Sequence, residues 1–154
     1  MALITGVFNF DLNLVLVMNA FRGGTISYTM TNNPTDNSTV SVRISQRHSW
    51  RRSAHFCNDT SIERQPLIGE GFLDATNTSS RLISQIDARV RCTDFNEAFD
   101  YSSGEDSITR LMPVNQYIEY VYSDCCWIRL LPPDSGDRWS LKVTINTTPR
   151  LNGE

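Results

Sequence analysis

The chain carries almost no lysine. Lys142 is the single one, and arginine supplies the remainder of its fourteen basic residues. Against seventeen acidic residues this leaves a net charge of -3, which excludes the broad basic surface of a nucleic-acid binder. Long apolar runs are missing too, and no stretch approaches the ~20 residues of a membrane-spanning helix. No helical pattern of ten or more residues carries caps at its ends. There is no C-x-x-C pair, and the two histidines, His48 and His55, are not spaced as ligands with the cysteines, so a zinc site is not expected. Asp134 and Asp137 in PPDSGD lack the twelve-residue calcium loop and its terminal glutamate, and read as turn residues. No cofactor is called for. Catalytic pairs fare no better. Ser49 beside His48, and Glu105 beside Asp106, are neighbours, and neighbours on a strand face opposite ways. A non-catalytic chain is therefore expected, with a secreted hydrolase as an alternative.

What is present is period-two alternation. With 154 residues, 40% hydrophobic and 20% charged, the chain fits one folded domain. Ile26, Tyr28 and Met30 share one face of a segment running to Thr31, and Val40, Val42 and Ile44 share one face of the next, with Asn-Pro turn chemistry between them. Ile86, Ala88, Val90 and Cys92 alternate with Asp87, Arg89 and Arg91. Ser107–Val114 reads as a shorter strand, Asp94–Asp106 as an acidic loop, and 58–77 as loop with a short strand at Leu67-Ile68. Phe72–Ser84 has room for one helical turn. Trp139, Leu141, Val143 and Ile145 alternate cleanly with polar residues. Short strands with turns between them predict an all-β fold, an antiparallel β-sandwich of immunoglobulin-like or jelly-roll type.

The stretch YIEYVYSDCCWIRL, Tyr117–Leu130, reads as the central strand, with Ile118, Tyr120 and Tyr122 on one face. It ends in Cys125 and Cys126, and the other cysteines are Cys57 and Cys92. A bond between the two neighbours would close a strained ring, because half-cystine Cα atoms normally lie ~4.4–6.8 Å apart. Two disulfides are then expected, either Cys57–Cys125 with Cys92–Cys126 or Cys57–Cys126 with Cys92–Cys125. Buried free thiols are the alternative.

Asn-x-Ser/Thr glycosylation triplets begin at Asn37, Asn58, Asn77 and Asn146. Twelve asparagines among thirty serines and threonines would give about two such triplets by chance, so four is a modest excess. Residues 1–20 are apolar around Asp11 and read either as a signal peptide or as extra N-terminal strands. Residues 21–149 form the sandwich domain in this reading, and 150–154 a linker or cut end. The run Arg47-His48-Ser49-Trp50-Arg51-Arg52 has two readings. In one, Arg47, Trp50, Arg51 and Arg52 make a contact patch for an acidic glycan or protein partner, with cation–π stacking on Trp50. In the other, which is preferred, Trp50 is core and the arginines are solvated or paired with carboxylates.

FRGGTISY, VSVRISQRHSWRRSAHFC, LIGEG, RCTDF, SSGE and CCWIRL occur here in that order. Over about Phe21 to Pro149 the chain resembles an N-terminal module of large extracellular multidomain proteins of marine invertebrates. The resemblance implies secretion, a β-rich fold, paired cysteines and attachment to further modules. Relatives of that pattern carry an extra cysteine pair after LIGEG, and 74–84 has none here, so no disulfide map carries over. The functional expectation is a secreted or cell-surface binding or structural module that recognises a protein or glycan through loops at one end of the sandwich, with Arg47–Arg52 and Asp94–Asp106 as the candidate segments. A self-assembling coat or filament subunit is the alternative.

Overall fold

Which face of each strand is apolar decides how this chain folds. A computed structural model describes residues 21–32, 38–77, 83–124 and 138–148. In chain order these form β1 (Phe21–Asn32), β2 (Thr39–Arg51), α1 (Asp59–Arg64), β3 (Leu67–Ile68), β4 (Phe72–Ala75), β5 (Gln85–Asp87), β6 (Val90–Asn96), β7 (Tyr101–Pro113), β8 (Tyr117–Asp124) and β9 (Trp139–Asn146). One sheet has the order β1-β2-β7-β6-β3 and the other β5-β4-β8-β9, with every pairing antiparallel. The inward side chains of the two sheets make one shared core, so the fold is the expected all-β sandwich. Among the described residues no helix is long and apolar enough to cross a membrane.

The cleanest alternations land as read. Val40, Val42 and Ile44 of β2, Ile118, Tyr120 and Tyr122 of β8, and Val143 and Ile145 of β9 are all buried. Other segments differ. The stretch Asp94–Asp106 is not a loop. It is the end of β6, a turn at 97–100 and the start of β7, which pairs with β2 along its whole length. Its buried residues here, Ser102 facing inward opposite Trp50 and Ser103 facing outward against Ser49, are small and polar, so no apolar signal marks the strand. The run Ile86 to Cys92 keeps its alternation but changes sheets between β5 and β6 at Ala88-Arg89. A short helix lies at Asp59–Arg64, while Phe72–Ala75 is strand. Asn58 caps that helix by accepting a bond from the Ser61 amide at 2.8 Å.

The disulfide pairing is a correction. Cys57 is bonded to Cys92, with Cα atoms 6.2 Å apart. Neither therefore joins the Cys125–Cys126 neighbours, contrary to both expected pairings; Cys125 and Cys126 lie outside the described residues. The reason is local. After α1 the chain folds back, Leu67 pairs with Arg91, and the Cys92 amide donates to the Pro66 carbonyl at 3.1 Å. That return brings the segment before the helix against β6.

Candidate contact surface at the loop end

Phe21, Trp50, Ser102 and Phe95 lie side by side across the larger sheet, and mark one end of the sandwich. Beneath that end is an aromatic plug. Phe21 stacks on Trp139 with centroids 3.7 Å apart, and meets Trp50 edge-on at 5.0 Å. Tyr122 stands perpendicular to Trp139 at 4.7 Å. Such edge and stacked pairs add to plain burial.

The LIGEG segment lies over this plug because it is built from glycine. A Cβ on Gly69 would sit 2.6 Å from Trp50 Nε1, and one on Gly71 would sit 2.9 Å from the Tyr122 ring. Both glycines also hold left-handed backbone, with φ of 92° and 84°. Between them the Glu70 carbonyl accepts the Tyr122 hydroxyl. Burial, reinforced by Glu70, Asp124 and Asp87, pushes the Tyr122 pKa up, so the phenol stays a donor. His55 meets Trp50 edge-on at 4.7 Å and accepts the Gly69 amide at Nδ1, 3.3 Å away. Burial lowers the His55 pKa despite nearby Glu70, which favours the neutral ring this bond needs.

Two loops stand on this base. The first follows β2, from Arg52 to Asn58, and the second is the turn 97–100 between β6 and β7. They are clamped together. The Arg52 amide donates to the Asp100 carbonyl at 3.0 Å, and the Ser53 amide to Asp100 Oδ1 at 2.9 Å. Asp100 Oδ2 also lies 3.6 Å from Arg51 and 3.7 Å from Arg22. Arg52 completes the clamp. Its Nε donates to the Cys57 carbonyl at 2.8 Å and its Nη2 to Glu97 at 2.7 Å. Its guanidinium sits 4.5 Å over the Phe56 ring and 5.2 Å from that of Phe95. The Cys57–Cys92 bridge then fixes the base of the first loop to β6.

The clamp leaves two apolar side chains in solvent. Phe56 is 58% exposed and Phe99 is 73% exposed. The Phe99 amide is held by Asn96 Oδ1 at 3.0 Å, and Asp100 closes the turn with φ of 50°. The Ser-His neighbours noted in the sequence do not converge here. His48 points inward, fully buried, with Nε2 3.1 Å from Gln46 Oε1. Ser49 points outward to the Ser102 carbonyl and to Ser103. Among the described residues no group of three or more His, Cys, Asp or Glu is placed to hold a metal ion.

Of the residues singled out from sequence, Trp50, Arg51 and Arg52 lie at the loop end and Arg47 does not. Trp50 is 1% exposed, and its ring serves the plug and the LIGEG segment. Arg47 sits mid-sheet, 3.3 Å from Glu105. Arg51 and Arg52 belong to the clamp. Asn77 is exposed, and its amide spans the backbone of β8, donating to Tyr117 and accepting from Glu119. Asn146 is exposed and accepts the Thr148 amide, whereas Asn37 lies outside the described residues. Glu97, Phe99 and Asp100 fall inside the acidic segment Asp94–Asp106 read from sequence as a candidate contact loop, although none of them stood out individually, and Phe56 was not legible as a site residue. A phenylalanine next to a cysteine, and one inside an acidic turn, were the only signals the two rings gave.

A family model described as "Integrin beta-like protein A-E, N-terminal" matches residues 22–148. No curated protein and no solved structure matches the chain.

Proposed function

The chain belongs to the integrin beta-like protein A-E N-terminal family, and from this membership we propose an extracellular, non-catalytic adhesion module that grips a protein partner with its loop end. The observation that carries this reading is the pair Phe56 and Phe99, exposed yet held on clamped loops. A pre-ordered apolar anchor loses little entropy on binding. Burying the exposed parts of two such rings against a partner contributes about 2–4 kcal/mol. The flanking Arg22, Arg51, Glu97 and Asp100 supply a charged rim.

The family's description as an N-terminal part fits a module joined to others. Sugars at Asn77 and Asn146 would stand at the far end, where β8 begins and β9 ends, clear of the contact surface. A sugar at Asn58 would stand beside it, one residue from Cys57.

The test is competition. Beads coated with the wild-type domain are settled on cells of the source organism, with soluble domain added. Soluble wild type is expected to displace the beads, and soluble Phe56→Ser/Phe99→Ser is expected to need about a hundredfold more. Equal competition by both proteins would remove the loop end from the account.

A further inference from the structure

Among the described residues the sandwich has four edge strands, and three of them are blunted. β3 has two residues and β5 has three. β9 carries Lys142, paired with Glu119 of β8. β1 has none of these protections. It is twelve residues long, and from Gly23 to Asn32 it holds no charge and no proline. Among the described residues it pairs with β2 alone, and no other described strand hydrogen-bonds along its far edge from Gly23 to Asn32. Long, uncharged edges invite another strand.

We propose that this edge is the interface for a second copy of the chain, paired antiparallel through β1. The strand itself names the occupant, because its pattern is symmetric about Tyr28. Thr25, Ser27, Thr29 and Thr31 are exposed on the outer face, and Ile26, Tyr28 and Met30 are half-buried on the inner one. With Tyr28 opposite its own copy, Ile26 meets Met30, Ser27 meets Thr29, and Thr25 meets Thr31. Every apolar residue then faces an apolar one and every hydroxyl a hydroxyl, and no like charges meet. A two-fold axis through Tyr28 satisfies both copies at once, as an isologous dimer requires. The two five-stranded sheets become one continuous sheet. The half-buried inner row gains the cover that a neighbouring strand provides. The start of β1 needs no such cover, since Phe21 stacks on Trp139 and Gly24 already lies against Leu141. The loop end is left free, and the dimer presents two copies of it.

The test is sedimentation equilibrium of the full chain, wild type against Ser27→Glu/Thr29→Glu. Both positions are exposed, and residue 29 lies opposite Arg43, so the acidic pair leaves the monomer folded. At the junction it sets acid against acid twice. Wild type is expected to dimerise reversibly, and the variant to raise the dimer dissociation constant about thirtyfold or more, with the same melting temperature as wild type at concentrations low enough that both are monomers. Register is read by oxidative cross-linking. A mixture of Ser27→Cys and Thr29→Cys proteins is expected to form the mixed dimer, while each alone forms much less. A wild type that stays monomeric, or a dimer indifferent to the acidic pair, overturns the proposal. So does a monomer that dimerises only once residues 1–20 are removed, because the edge then belongs to the chain's own N-terminal segment. None of these outcomes depends on adhesion, so the reading of the loop end stands or falls apart from them.

Discussion

Replacing both Cys57 and Cys92 with alanine gives a magnitude that can be worked out in advance. The bridge closes a loop with a sequence separation of 35 residues. Constraining the unfolded chain over such a loop stabilises the fold by about 4 kcal/mol in the chain-entropy model. Both cysteines are fully buried, so the alanines also leave a small void, and the total approaches about 5 kcal/mol. For a domain of this size that is a fall in melting temperature of about 15 °C. Urea unfolding followed by tryptophan fluorescence reads it directly. The same substitution frees the base of the loop that carries Phe56, so amide exchange between Arg52 and Asn58 is expected to quicken even where the domain stays folded. A loss below about 1 kcal/mol, with exchange in that loop unchanged, would refute the reasoning from loop closure to loop order.

Three further outcomes follow from the same geometry. Gly69→Ala puts a Cβ into left-handed backbone and against Trp50, and is expected to cost about 2–4 kcal/mol in urea unfolding and to shift tryptophan emission. Arg52→Ala removes the group that bonds the Cys57 carbonyl and lies between two phenylalanine rings, and is expected to cost about 2 kcal/mol; Arg52→Lys, lacking the flat fork, recovers less than half. Burial lowers the His48 pKa from 6.5 to about 4. Between those values the unfolded chain binds a proton that the folded chain refuses, so stability falls as pH drops through that window, by about 3 kcal/mol, with no contribution from His48 above it. A pH series of denaturant midpoints checks this, and His48→Gln is expected to flatten it.

How much of this was legible depends on what each strand buries. β2, β8 and β9 bury branched or aromatic side chains on one face and show polar ones on the other, so alternation gave their faces correctly. The start of β7 did not read as strand, because it packs through Ser102, Ser103 and Gly104. A Cβ on Gly104 would lie 2.4 Å from the Arg91 carbonyl, so the space there excludes the apolar side chain that would have marked it. The six-residue helix is too short for a period, although Asn58 before it and Arg64 in its last turn are cap and dipole residues. The disulfide was misread for a different cause. Two adjacent cysteines look like a hub, whereas the pairing that forms depends on the short strand Leu67-Ile68, itself expected from the sequence, returning to pair with β6, and two residues carry no signal of which strand they join. The loop end was expected to carry the contacts, and Arg51, Arg52 and the segment Asp94–Asp106 were picked out for it, but the way they meet was not visible. Arg22, Arg51 and Asp100 are far apart in the chain and meet only through strand register.

The most direct measurement is the force needed to detach a single cell from a surface coated with the domain. Wild type is compared with Phe56→Ser/Phe99→Ser at the loop end and with Tyr117→Ser, an equally exposed ring at the opposite end. The expected result is a large drop in force for the loop-end pair and none for Tyr117→Ser. Undiminished force with both phenylalanines gone, or a loss that tracks Tyr117 instead, would contradict it.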